Sequence, residues 1–245
     1  MTKRETRMAV AVAILAELLL APVPALPQCC GDCNGDGRVT VDEILAAADA
    51  ALGLQCRAQS GGARFPSTGQ TTCSDADGNL IDCGGTGHDG AIRAGATLVY
   101  VDNGDGTISD LNTHLMWEKK SADGSIHDWS NVYTWEDAFR TFIAGLNAAG
   151  GFAGHTDWRL PNVKELQSII NYQNVAPAVS APFTTNCAPG CTVETCSCTQ
   201  SFFYWSSSSI QVSPGGVWLV DFALGTVGNF DETDRNYARA VRGGA

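Results

Sequence analysis

Ten cysteines, gathered into local groups, constrain this chain more than any other feature. The groups are Cys29, Cys30, Cys33 and Cys56; Cys73 and Cys83; and Cys187, Cys191, Cys196 and Cys198. An even number of cysteines at short spacings reads as a set of small disulfide-closed loops in an oxidising compartment. Zinc is the rival reading, because C-x-x-x-C and C-x-C spacings also suit a thiolate-bound metal. No histidine stands near the last group, so disulfides are the expectation. Pairing within each group is the economical arrangement, but spacing does not fix connectivity.

The N-terminus supports that compartment. Lys3, Arg4 and Arg7 precede an apolar run from Met8 to Leu20, and Val23-Pro24-Ala25 offers small residues for cleavage. This pattern predicts an export signal over residues 1–25. The run, about 13 residues, is shorter than the roughly 20 needed to span a bilayer. Pro27-Gln28 ahead of Cys29 matches a lipidation site poorly. No second apolar segment follows, so no membrane span is expected after cleavage, and a periplasmic, cell-surface or extracellular location is.

Charge narrows the partners. The chain carries 15 basic and 26 acidic residues, a formal charge of −11. Nucleic acid needs a basic surface and is excluded on that ground. An acidic surface suits calcium and solubility outside the cell.

The clearest chemistry lies between Asp32 and Glu43. Asp32, Asn34 and Asp36 offer side-chain oxygens at every second position, and Gly37 stands where an EF-hand loop turns sharply. Arg38 supplies a backbone carbonyl, Thr40 the ninth position, and Glu43 a bidentate carboxylate at the twelfth. Hard oxygens in this order wrap one Ca²⁺. A helix follows, with Ile44, Leu45, Ala48 and Leu52 on one face and Gly53 at its end. Cys29-Cys30-Gly31 leaves no room for an entering helix, so loop and helix resemble one repeat of a type I dockerin. Dockerins carry two such repeats and usually Asp where Glu43 stands, which argues against a cohesin partner and for a calcium-stabilised spacer. A second stretch, Asn103 to Ser109, echoes the first loop without its end ligands. A glycine-rich hairpin turn is the favoured reading, with a looser calcium site from Asp102, Asp105 and Asp110 as the alternative.

The layout is then a calcium module at 29–56, a Gly/Ser/Pro-rich linker at 57–70 and one larger domain at 71–245 that holds all six tryptophans. Within it, Thr134 caps a predicted helix with Trp135, Ala138, Phe139, Phe142, Ile143 and Leu146 on its buried face, stopped by Gly150-Gly151. Asn162 and Glu165 form a capping-box pattern for a second helix carrying Leu166, Ile169 and Ile170. Strands are expected at 97–101, 107–109, 115–118, 203–206, 217–222 and 237–241. The near-continuous apolar run Val217 to Phe222 marks a central strand. The fold class is α+β.

Several segments in this order resemble one family. They are Thr86-Gly87-His88-Asp89-Gly90, Val101 to Thr107, Leu115-Met116-Trp117-Glu118, Thr134-Trp135-Glu136-Asp137-Ala138, His155 to Leu166, Tyr204-Trp205-Ser206-Ser207-Ser208 and Arg239-Ala240-Val241-Arg242-Gly243-Gly244. Together they resemble the Lcl_C family, the C-terminal domain of the Legionella collagen-like adhesin and its bacterial relatives, over residues 71–244. The resemblance implies a C-type-lectin-like fold, with two helices, a twisted, mostly antiparallel sheet and long displayed loops. It also implies an adhesin that binds sulfated glycans. Formylglycine-generating enzymes share the Arg-Leu-Pro and Arg-Gly-Gly elements, but their catalytic cysteines have no counterpart here.

Most motif residues read as structural. Trp158 and Leu160 are expected in the core, with Arg159 paired to an acid or to carbonyls. Tyr204, Trp205 and Trp218 would stack on sugar rings if exposed, but their places in strands favour packing. Arg235, Arg239 and Arg242 are the candidates for a basic patch. Ser206 to Ser209 has no histidine partner at a suggestive position, no carboxylate pair is singled out, and no catalytic residue is assigned. From Gly61 to Ala245 there are 10 basic and 19 acidic residues, which suits a neutral glycan, a protein or a cationic partner better than a sulfated chain. The expected function is an exported, calcium-binding, non-enzymatic adhesin- or lectin-like protein that presents loops 184–200, 207–216 and 228–236. The alternatives are a dockerin-anchored accessory of a polysaccharide-degrading assembly and an enzyme of the formylglycine-generating type.

Overall fold

One strand that sends side chains into two buried clusters organises the molecule. In the computed structural model, which describes residues 65–243, Gly216–Asp221 is the middle strand of a three-stranded antiparallel sheet. Val217 and Leu219 enter one buried cluster with Phe142, Leu146, Trp158, Leu160 and Trp205. Val220 and the following Phe222 enter a second, with Trp117, Leu166, Ile169, Phe183 and Tyr204. A strand buried on both faces needs an apolar run rather than strict alternation, which is what the sequence there shows. The predicted signal at 1–25, the calcium module at 29–56 with Asp32, Asn34, Asp36, Arg38, Thr40 and Glu43, and the first part of the linker lie outside the described residues. Residues 65–70 already belong to the domain, since Ser67 N donates to Ala96 O at 2.7 Å and Tyr172 N to Thr68 O at 2.8 Å.

The strands in chain order are β1 (Cys73–Ser74), β2 (Leu80–Ile81), β3 (Tyr100–Asp102), β4 (Thr107–Asp110), β5 (Leu115–Glu118), β6 (Phe203–Ser209), β7 (Gly216–Asp221), β8 (Thr226–Asp231) and β9 (Val241–Gly243). They form three sheets, ordered β1-β2, β3-β4-β5-β9 and β6-β7-β8, with every strand pairing antiparallel. The helices are α1 (Asp89–Ile92), α2 (Trp135–Asp137), α3 (Ala144–Asn147) and α4 (Val163–Ser168), with a π-helical segment, Ala138–Ile143, between α2 and α3. This mixture is α+β, as expected. Among the described residues no helix is long and apolar enough to cross a membrane.

Both helix predictions hold at their caps. The Thr134 side chain accepts from Asp137 N, and Ala138, Phe142, Ile143 and Leu146 are buried. The helical stretch ends at Asn147, ahead of Gly150 and Gly151, both at positive φ. Gly151 is required there, because a Cβ would stand 1.9 Å from His155 O. The Asn162–Glu165 capping box closes in both directions. Glu165 also holds the Arg159 guanidinium through two bonds of 2.8 and 2.7 Å. One carboxylate therefore caps α4 and satisfies the predicted partner of Arg159.

Four expectations need correction. The strand expected at 97–101 runs Tyr100–Asp102 instead. The strand expected at 237–241 is regular only from Val241, because the Ala240 amide is diverted to the Glu118 side chain at 3.0 Å. Residues 228–231, expected in a loop, lie in β8, paired along its whole length with β7; Gly228 and Asn229 disguised it. Residues 207–209, assigned to another loop, extend β6.

Candidate functional site

At the end of β5 three charged residues in a row, Glu118, Lys119 and Lys120, are all buried. Glu118 Oε1 accepts from Lys120 Nζ at 3.2 Å and meets His127 Nδ1 at 2.8 Å. Burial by itself would raise the Glu118 carboxyl, but the Lys120 ammonium and the His127 contact outweigh it and hold it below the ordinary value. Burial pulls the Lys120 ammonium down against the opposing pull of Glu118, and its Nζ sits 4.5 Å from the Phe142 ring centroid. Lys119 reaches outward to Asp102 at 2.7 Å.

Arg239 completes this network. It is fully buried and stays charged, donating to Glu118 O at 2.8 Å, Cys198 O at 2.7 Å and Thr199 Oγ1 at 2.7 Å. The guanidinium thus ties the last turn of the cysteine-rich loop to the end of β5.

The loop itself is closed by Cys187–Cys198 and Cys191–Cys196, and Cys73–Cys83 closes the β1-β2 hairpin. All six described cysteines pair within their groups, as expected. Backbone bonds dock the loop onto the strand extension: Cys198 N to Lys120 O at 2.9 Å, Ala122 N to Cys191 O at 2.9 Å and Gly190 N to Ala122 O at 2.7 Å. Gly106, at φ +92°, lies beneath; a Cβ there would stand 2.7 Å from Val193 Cγ2. The docking leaves a surface cavity of about 220 Å³ lined by Ala122, Asp128, Trp129, Ser130, Cys187, Ala188 and Pro189. That is below the roughly 300–1,000 Å³ of a drug-sized site and is the scale of one sugar ring or one side chain. Asp128 shapes its wall, accepting from Ser130 N, Ser130 Oγ and Gly124 N at 2.9, 2.6 and 2.7 Å. Burial opposes ionisation of Asp128, but these bonds win and lower its carboxyl.

The residues singled out from sequence distribute differently. Tyr204, Trp205 and Arg239 are wholly buried, which removes them as contacts for an external ligand; Tyr204 and Trp205 pack in the core, one in each cluster. Trp218 is half-buried and Arg235 exposed, the latter donating to Val132 O at 3.1 Å. Arg242 pairs with Asp157. No joint basic patch forms from Arg235, Arg239 and Arg242, since one is buried and another neutralised. Ser206 Oγ donates to Trp218 O and Ser208 Oγ accepts from Val163 N, both structural roles. Residues 103–106 fold as the hairpin turn between β3 and β4, with Asn103 N on Thr107 O at 3.0 Å. Asp102 holds Lys119, Asp105 holds Thr107 and Asp110 holds Asn112 and Thr113. Among the described residues the only metal-type grouping is Cys191, Cys196 and Cys198, so the three aspartates are not brought together.

Sequence reasoning missed Trp129 and the burial of Glu118, Lys120, His127 and Arg239. A short signal existed for Trp129, an aromatic in a polar run (Ser125 to Asn131) outside any periodic element. Consecutive charges ordinarily read as surface, so nothing flagged the network.

Residues 106–242 match the family model described as the Lcl C-terminal domain. That span contains the whole buried network, the cysteine-rich loop and Trp129; the β1-β2 hairpin and α1 precede it. No curated protein gives a significant match.

Proposed function

The chain belongs to the Lcl C-terminal domain family, and from that premise we propose an exported, calcium-binding, non-enzymatic protein of adhesin- or lectin-like type. Its ligand surface is the cysteine-rich loop 184–200 together with Trp129. The observation that carries this reading is the loop's double closure. Two disulfides and three backbone bonds fix it beside the Trp129 cavity, and a loop fixed before binding loses less entropy on binding. A half-buried indole beside hydroxyl and carboxylate groups suits the apolar face of a sugar or an apolar side chain.

A non-enzymatic role is supported by how the reactive groups are used. Both Glu118 oxygens are occupied by Lys120, His127 and the Ala240 amide, and the Ser206 and Ser208 hydroxyls bond to backbone. The family premise and the helical stretches 135–147 and 163–168 beside antiparallel sheets support a C-type-lectin-like arrangement. The acidic balance favours a neutral glycan or a protein over a sulfated chain, and the Asp32–Glu43 loop supplies the calcium module. The test is an array of neutral and sulfated glycans and matrix proteins, probed with the full chain with and without calcium. Binding to neutral glycans or to a protein is expected. Preference for sulfated glycans would contradict the charge argument, and turnover of any arrayed glycan would contradict the non-enzymatic role.

A further inference from the structure

We propose that the segment Cys187 to Cys198, with its two disulfides reduced, is a thiolate site for one zinc ion. The sulfurs are already gathered. Those of Cys191, Cys196 and Cys198 lie within 4.8 Å of one another; Cys196 and Cys198 are 4.0 Å apart, and Cys187 is bonded to Cys198. Four thiolates around a tetrahedral zinc, at about 2.3 Å each, stand about 3.8 Å from one another. The fold therefore holds three of the sulfurs close to the spacing the ion requires, with Cys187, the partner of Cys198, as the fourth ligand.

The positions do not depend on the S–S bonds alone. Thr185 and Ser197 exchange two backbone bonds of 2.7 and 2.8 Å, Cys196 N donates to Thr192 O at 3.0 Å, and Lys120 and Ala122 bind the loop from below. These contacts keep the four cysteines converging when the disulfides open. A zinc tetrathiolate carries a net charge of about −2, and the buried Arg239 guanidinium on Cys198 O places a cation beside it.

Electrons and protons balance simply. Two molecules of a dithiol each deliver two electrons and two protons to one disulfide and become cyclic disulfides, leaving four thiols. Zinc then displaces four protons as it binds. Zinc and disulfides are thus two exclusive ways of closing the same loop, set by the thiol poise around the chain.

The test uses the full chain, reduced, freed of reductant under argon and titrated with Co²⁺ as a spectroscopic probe before Zn²⁺. The expected result is the visible bands of a tetrahedral thiolate cobalt centre at one equivalent, lost on adding Zn²⁺. These bands persist when Cys29, Cys30, Cys33 and Cys56 are changed to Ser, and in Cys73→Ser/Cys83→Ser, which equally lacks a disulfide. They vanish in Cys196→Ser/Cys198→Ser. Cys196→His, which still ligates, retains a band shifted to shorter wavelength and shows that loss in the serine variant is not misfolding. Absence of bands in the reduced chain, or their survival in Cys196→Ser/Cys198→Ser, overturns the proposal.

Discussion

Arg239 donates from Nη1 to the carbonyl of Glu118 at 2.8 Å, while its other terminal nitrogen holds Cys198 O and Thr199 Oγ1 at 2.7 Å each. One buried cation therefore joins the end of β5, the C-terminal segment and the cysteine-rich loop. Arg239→Ala takes a charged donor away from two buried carbonyls and from the Thr199 hydroxyl, which keeps its bond to Phe183 O, and leaves the Glu118 cluster short of a cation. Breaking such a buried arrangement is expected to lower stability by about 3–5 kcal/mol. Urea denaturation of the oxidised variant checks this, and a change below about 1 kcal/mol would show that the contacts are not coupled to folding.

Glu118 sets an acid limit. Its folded carboxyl titrates below the ordinary 4.5, so the unfolded chain takes up protons first as pH falls. The stabilisation is fully present above the unfolded value and is lost as pH drops through the folded one. Glu118→Gln is expected to be less stable than wild type at pH 7 yet to lose less stability on acidification. Urea midpoints measured from pH 7 down to pH 3 compare the two slopes, and parallel slopes would contradict this account of the network.

The Cys187–Cys198 bridge spans 11 residues. Closing a loop of that size stabilises by about 2–3 kcal/mol in the chain-entropy account. Cys187→Ser/Cys198→Ser is expected to lose that much while keeping the β6-β7-β8 sheet, seen as a lowered Tm with unchanged near-ultraviolet dichroism from Trp205.

Calcium tests the segment that precedes the described residues. Titration calorimetry on the full chain is expected to show one site that disappears in Glu43→Gln, which loses the bidentate ligand at the twelfth loop position. A second site surviving in that variant would bring Asp102, Asp105 and Asp110 back into consideration.

Legibility from sequence followed locality. The capping box at Asn162 and Glu165, the Thr134 cap and the apolar run of β7 are local patterns whose physics needs only a few neighbouring residues, and each formed where expected. β8 was hidden because Gly228 and Asn229 weaken strand propensity, and pairing with β7 overrides it. The short β9 has a different cause: the Glu118 side chain, about 120 positions away, captures the Ala240 amide. The site divided in the same way. Cysteine grouping predicted the pairing of Cys187, Cys191, Cys196 and Cys198 within one group, whereas the burial of Arg239 depends on carbonyls from two distant segments. Trp129 becomes a candidate only once the loop docks over residues 120–122.

The proposed ligand surface is the disulfide-closed loop together with Trp129. Affinity for whichever arrayed ligand binds best is the direct measurement, comparing wild type with Trp129→Ala and with Trp218→Ala on β7. The account predicts at least about a tenfold loss, roughly 1.4 kcal/mol, for Trp129→Ala, with stability within about 1 kcal/mol of wild type. Unchanged affinity in Trp129→Ala together with loss in Trp218→Ala would contradict it and move the site to the β6-β7-β8 sheet.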